Sequence, residues 1–330
     1  MSNSFNGRIA RAIRSMRFNF GMEMGLYPKR TEGDLILMYH NVFPHSMPGL
    51  NPRNIGQREF GEQMAYLKKR YDVVSLREMC EVQSRSRRIA ITFDDGLLNN
   101  LRYAVPTLEE HGICGTLFVC SSYLRGRSIL WPEHLALTGF RTRKSLEFEG
   151  VVYSHHRGNR YISDSGKRLT QVLMEQPISR IEAFLDAVEK KTGYKPSDDL
   201  NHEYRWRVMR GEELRILTES SSVEIASHGI SHSNFNLLSD DEALEEMKDS
   251  KDYLESASGQ KVSSIAYPFG LYSRRTLDLA EQCGYTRQFA VDFQHDEDAT
   301  DPRIRNRMGL YNDRSLIEQS HLINKRFHSE

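Results

Sequence analysis

Cysteine is scarce in this chain. There are four in 330 residues, Cys80, Cys114, Cys120 and Cys283, scattered and without a CxxC pair. That pattern argues against a zinc-thiolate site and a disulfide framework; reduced, mostly buried thiols suit the cytoplasm. Long hydrophobic runs are missing too, and none approaches the ~20 residues of a membrane span. The opening stretch, MSNSFNGRIARAIRSMRFNF, carries arginines but no continuous apolar core, so a secretory signal is not expected. Net charge is absent: 45 Lys and Arg offset 45 Asp and Glu. A nucleic-acid binder would need a basic surplus. No internal repeat or low-complexity tract interrupts the chain. What remains, 38% hydrophobic and 27% charged residues, reads as soluble and globular, with room for one large domain or two modest ones.

From about residue 33 the patterns of strand and helix alternate. DLILMYH, YDVVSL, RRIAITF, GTLFVCS, VEIAS, SSIAY and RQFAVDF read as strands. Between them, REFGEQMAYLKKR places Phe60, Met64 and Leu67 at helical spacing. Residues 98–111 read as a helix stopped by Gly112, with Pro106 predicting a kink or a late start. SDDEALEEMKDSKDYLES opens on a capping box, Ser239 with Glu242. SRRTLDLAEQCG is a further helix, ended by Gly284. Such alternation implies a parallel sheet with crossover helices. Closed into a barrel, the sheet carries its chemistry at the C-terminal strand ends. The unusual polar residues obey that rule: His40, Asp94–Asp95, His228 and Pro268 each come just past a strand. Residues 126–215 break the rhythm and read as short strands plus one helix, with Ile178, Ile181, Phe184, Leu185 and Val188 on its apolar side. We expect this stretch to be a cap inserted over the rim.

Two adjacent carboxylates ending a buried strand need a reason. His228 and His232, four apart in SHGISH, can converge on a cation. One carboxylate of Asp94–Asp95 would complete a two-histidine, one-carboxylate site with open positions, and the other would act as a base beside it. A lone DG pair is often only a helix N-cap, and a lone HxxxH is often structural. Their joint placement at strand ends favours the site.

TFDDG, SHGISH and AYPFG, in this order, resemble the first three motifs of the polysaccharide deacetylases, the NodB-homology or carbohydrate esterase family 4 group. LMYHNV resembles the first strand of the exopolysaccharide-deacetylase branch. The likeness spans about residues 33–310 without the insertion. It implies a distorted (β/α)7 barrel. It also implies Asp94 as general base, Asp95, His228 and His232 as ligands of a divalent metal, with Zn2+ the first choice, and Tyr267, Pro268, Phe269 and Gly270 as the substrate loop. The chain departs from the pattern at three points. Gly229 follows the first histidine where Ser or Thr is usual. The third motif lacks its arginine, with Ala266–Tyr267 before Pro268. The motif supplying the catalytic acid has no counterpart: His295 and His321 lie in unmatched contexts, and His40 on the rim is the better candidate for acid or for support.

The resemblance implies release of acetate from an N-acetylated sugar. Without a secretory signal, a cytoplasmic saccharide precursor suits better than a secreted polymer. In residues 1–32, Phe5, Ile9, Ala12, Ile13, Met16 and Phe20 cluster on one helical side and Arg8, Arg11, Arg14 and Arg17 on the other. That pattern suits either a helix on an anionic membrane face, with a lipid-linked substrate, or a helix packed on protein. Residues 313–330 read as a C-terminal helix or tail. Three rivals stay open: a non-haem iron oxygenase, a hydrolase of cyclic ureides or another C–N bond, and a saccharide-binding relative with weakened catalysis. No nucleic-acid partner is expected.

Overall fold

Fourteen short extended segments are present among the described residues of this computed structural model, which are 32–45, 53–158, 160–198, 206–311 and 314–329. In chain order they are β1 (Gly33–Tyr39), β2 (Asn41–Phe43), β3 (Asn54–Gly56), β4 (Asp72–Val73), β5 (Arg87–Phe93), β6 (Gly115–Val119), β7 (Leu146–Phe148), β8 (Val151–His156), β9 (Arg160–Ser163), β10 (Val223–Ser227), β11 (Ser264–Ala266), β12 (Arg287–Ala290), β13 (Ile304–Asn306) and β14 (Met308–Gly309). The amphipathic pattern of residues 5–20 lies outside the described residues.

The main sheet runs β13-β12-β11-β10-β6-β5-β1-β14, with β4 beside the start of β5. Every pairing in it is parallel. Its two edges, β13 and β14, are separated in sequence by Arg307 alone. One bent segment therefore borders both sides of the seam. Counted as one strand, it makes a seven-stranded, nearly closed barrel, the expected distorted (β/α)7 form. Strand alternation sorts the side chains. Ile36, Ala90, Phe118, Ala226, Ala266 and Phe289 fill one buried face of the sheet. Leu35, Leu37, Ile89, Ile91, Leu117, Ile225 and Ile265 belong to the larger core shared with the flanking helices. Both faces are covered, which is why the strands read as unbroken apolar runs.

The helices follow the sequence cues closely. Gln57–Arg70 buries Phe60, Met64 and Leu67. Asp240–Ser258 starts on the Ser239–Glu242 capping box. Asn100–Ala104 is a π-helical turn running into the α-helix Val105–His111, with Pro106 in its first turn and Gly112 left-handed at its end. The chain is helical on both sides of Pro106, and the π turn just before it takes up the i→i−4 bond that the proline cannot donate. Leu316–Ser329 packs near the start of β1, where Phe327 stacks on Tyr71 at 5.4 Å.

Between β6 and β10 a second apolar core forms. The helices Trp131–Thr142, Leu169–Met174 and Ile178–Thr192 pack with the antiparallel β7-β8-β9 sheet around Trp131, Phe148, Tyr161, Leu173, Phe184 and Leu185. The segment is thus more helical than expected. WPEHLALTGF in particular is a helix, because Pro132 sits in its first turn, where proline starts helices rather than breaking them. The helix Gly211–Leu217 straddles the expected boundary at 215, yet Leu214 and Leu217 join the barrel core.

Candidate active site

The rim at the C-terminal strand ends gathers the residues singled out in the sequence. Asp94 and Asp95 follow β5, His228 follows β10, and His232 lies one turn further on; all four are buried. His232 Nε2 is 3.2 Å from Asp95 Oδ1, and His228 Nε2 is 3.8 Å from the same oxygen. Asp95 Oδ1 nevertheless has no hydrogen bond, and neither does His232 Nδ1.

The backbone is bent to make this approach. Five non-glycine residues among those described have a left-handed φ, and three of them, Asp95 (75°), His232 (56°) and Phe269 (62°), are here. Such conformations cost about 1–3 kcal/mol each and persist where the surroundings enforce them. Gly96 follows Asp95 at φ 71°; a Cβ there would sit 2.5 Å from Val119 Cγ1. Only glycine lets the Asp–Asp turn lie against β6.

The histidine turn is held from behind. Glu246, buried on the Asp240 helix, accepts from Ile230 N (2.7 Å), Ser231 N (3.1 Å) and Ser231 Oγ (2.6 Å). Gly229 has φ 75°, and a Cβ there would come within 3.2 Å of Glu246 Oε2 and Phe235. That accounts for glycine where the resembling family usually has a hydroxyl residue. His228 Nδ1 lies 2.7 Å from the carbonyl oxygen of Ala266. A carbonyl only accepts, so Nδ1 carries the proton and Nε2 presents its lone pair to Asp95. Burial lowers the His228 pKa further, which keeps that nitrogen free.

Asp94 is treated differently. Arg307, from the seam between β13 and β14, grips it in a fork: Nη1 to Oδ1 at 2.5 Å and Nη2 to Oδ2 at 2.8 Å. The guanidinium lies over the Phe118 ring at 4.8 Å and reaches Thr92 Oγ1 at 3.4 Å. Burial alone would raise the Asp94 pKa, but Arg307 and then His228 outweigh it, and the group stays below the usual carboxylate range. Asp95 is likewise lowered: burial raises it, and His232, His40 and His228 overcome that.

His40 is buried at the same rim, 3.4 Å from Arg53 Nη1. Burial first, then Arg53, brings its pKa down to about 4. Tyr267 departs from expectation. Its side chain packs with Phe235 and Tyr272, and its hydroxyl donates to Thr276 O or meets Gln288 Oε1 at 2.5 Å. Strand alternation is the reason: Ala266 belongs to one buried face of the sheet and Tyr267 to the other. The Tyr267 and Gly270 amides donate to Phe289 O and Tyr267 O, and Pro268 has none. Phe269 is thus the loop's uncommitted amide among the described residues, and its ring stands edge-on to His232 at 4.5 Å and near Trp131 at 5.7 Å. His295 is exposed, and His321 is on the Leu316 helix.

Cys120 Sγ also lies near Asp95 and His228. Burial holds its pKa well above the ordinary value, and Sγ reaches the His228 carbonyl at 3.5 Å. It therefore stays a neutral thiol. The donor set that fits a divalent cation is one carboxylate oxygen with two imidazole nitrogens, arranged around a buried oxygen that no hydrogen bond satisfies. All four cysteines are free, and no helix among the described residues is long and apolar enough to cross a membrane.

Comparison with known proteins agrees with this geometry. The polysaccharide deacetylase family profile matches residues 81–197 and 200–288, more than half of the chain. The chain belongs to the polysaccharide deacetylase family. Members of that family are hydrolases of amide bonds. Over 256 residues it is 23% identical to YxkH of Bacillus subtilis (strain 168), provisionally named a polysaccharide deacetylase; the match covers 76% of this chain and 61% of YxkH. Among solved structures, IcaB from Ammonifex degensii superposes with a TM-score of 0.56 at 17% identity, covering 90% of this chain and 98% of that one. The Streptococcus pyogenes deacetylase PplD, solved with acetate, gives 0.51 at 17% identity, covering 89% and 99%. These likenesses establish the shared barrel. His40 and Arg307 both lie outside the matched segments. Arg307 was not singled out in the sequence, where nothing local marks it; its burial between β13 and β14 is visible only in the fold.

Proposed function

We propose that this protein is a metal-dependent deacetylase that releases acetate from an N-acetylated sugar in a saccharide or lipid-linked saccharide precursor. One observation carries the reading: a buried Asp95 oxygen, without a hydrogen bond, faces the Nε2 atoms of His228 and His232. Asp95, His228 and His232 would hold the ion, with Zn2+ suited to the donor set. When bound, the ion supplies Lewis acidity, acidifying water and polarising a carbonyl.

The chain's own groups do the rest. Asp94 takes the proton of the attacking water. Arg307 fixes both of its oxygens and keeps it ionised, so the base is ready without a conformational change. The Phe269 N–H meets the oxygen that gains charge as the carbonyl is attacked. Phe269 and Trp131 form an apolar wall beside it, suited to the acetyl methyl. A neutral His40 supports this arrangement through Arg53. Residues 5–20 would make the peripheral membrane contact, and residues 126–215 would act as the cap. The location is the cytoplasm, at the inner membrane face.

The test is acetate release from N-acetylglucosamine oligomers by zinc-loaded protein, with and without chelator. Zinc-dependent release with one ion per chain is the expected result. Release that survives full removal of metal, or none in any metal form, overturns the proposal.

A further inference from the structure

Glu133 is the strongest buried acid that the site description leaves unused. It lies in the first turn of the Trp131–Thr142 helix and is 3% exposed. One carboxyl oxygen, Oε2, has no hydrogen-bond partner. The turn that carries it is docked on the candidate centre: the Trp131 indole N–H donates to His232 O at 3.3 Å, and the Trp131 ring lies against Phe269. The charged groups that act on Glu133 are Asp95, from the end of β5, and Arg53, beside β3; Cys120, past β6, feels it in turn. Leu137 and Phe140, four and seven residues on and so on the same helix side as Glu133, pack with Phe43 and Trp206, whereas Trp131 and Leu135 enter the second apolar core; the carboxyl therefore lies on the side of β2 and not in that core. Burial with one oxygen left without a hydrogen bond penalises the charged form, so such a group is held neutral. Burial pushes its pKa up, so it keeps its proton. His40, brought down to about 4, does not.

We propose that Glu133 donates the proton to the leaving nitrogen when the acetamide is cleaved, an assignment that rests on the deacetylase reading above. The step balances. Water oxygen bonds to the carbonyl carbon as its proton passes to Asp94. The C–N pair then withdraws to nitrogen, which takes the proton of Glu133. Acetic acid and the free amine leave. The proton on Asp94 passes through solvent to Glu133 and restores both groups. The helix thus ties the inserted segment to the chemistry, supplying the acid for which no motif was found.

The experiment compares wild type and Glu133→Gln on two substrates, N-acetylglucosamine oligomers and 4-nitrophenyl acetate, whose leaving group departs without a proton. Glutamine keeps the shape of the neutral acid but donates poorly. The expected outcome is a loss of about 100-fold or more in kcat on the amide, with ester cleavage and zinc uptake within a few-fold of wild type. Glu133→Asp should restore part of the amide activity. Full amide activity in Glu133→Gln overturns the assignment. So does an equal loss on both substrates with zinc uptake intact, which marks a positioning role. Should wild type cleave the ester but not the amide, or neither, the deacetylase reading itself fails, and this assignment with it.

Discussion

Asp94 and Asp95 are neighbours in sequence and near-opposites in structure. Asp94 has each oxygen held by an arginine N–H at 2.8 Å or less. Asp95 keeps an oxygen that two imidazoles approach and no hydrogen bond satisfies. Burial penalises both charges, and the two are stabilised by different means, a permanent guanidinium for one and a cluster of titratable rings for the other. The difference teaches that a paired-acid motif need not share one task. A carboxylate already neutralised by arginine gains little from a cation, whereas one beside two imidazoles can share a cation with them.

That contrast can be broken most severely at Asp95. Asp95→Ala should abolish zinc uptake in a metal titration and remove measurable acetate release. Asp94→Asn should keep zinc stoichiometry while kcat falls by about 10²–10⁴-fold, the usual reach of a general base; unaltered turnover would exclude Asp94 as base. Arg307→Met tests the clamp. It leaves a buried charge unpaired, at a cost of about 3–5 kcal/mol in urea unfolding at neutral pH. The sign of the pH effect follows: the guanidinium depresses the Asp94 pKa, so its loss raises that pKa and moves the acid limb of kcat/KM to higher pH. The smallest effect is expected at Glu246→Gln, which loosens the histidine turn without touching a ligand. Zinc affinity should weaken by about 10-fold, within the range of outer-shell changes, read by competition with a chelating dye.

The barrel was legible because its strands are apolar on both faces and each ends in an unusual polar residue. The same logic singled out Asp94, Asp95, His228 and His232, which the fold brings together. Three things were not legible, for physical reasons. Tyr267 looked like a rim residue, but which face a strand residue takes depends on register, and one step separates it from Ala266. Arg307 pairs with Asp94 from a segment far along the chain; only the curvature of the sheet brings β13 and β14 there. Glu133 hid in a segment misread as strand, since WPEH looks like a breaker until the proline is placed at a helix start. Each miss concerns a tertiary neighbour with no local signal.

The seam of the barrel has a mechanical meaning. The residue that splits the last strand is the one that grips the buried Asp94, so the closing hydrogen-bond ladder is traded for a charged latch. Any event that springs the latch, whether mutation, heat or strong acid, should open the wall and disarm the chemistry in one motion. In such a molecule, loss of turnover on warming would be the earliest herald of unravelling, detectable before the helices melt.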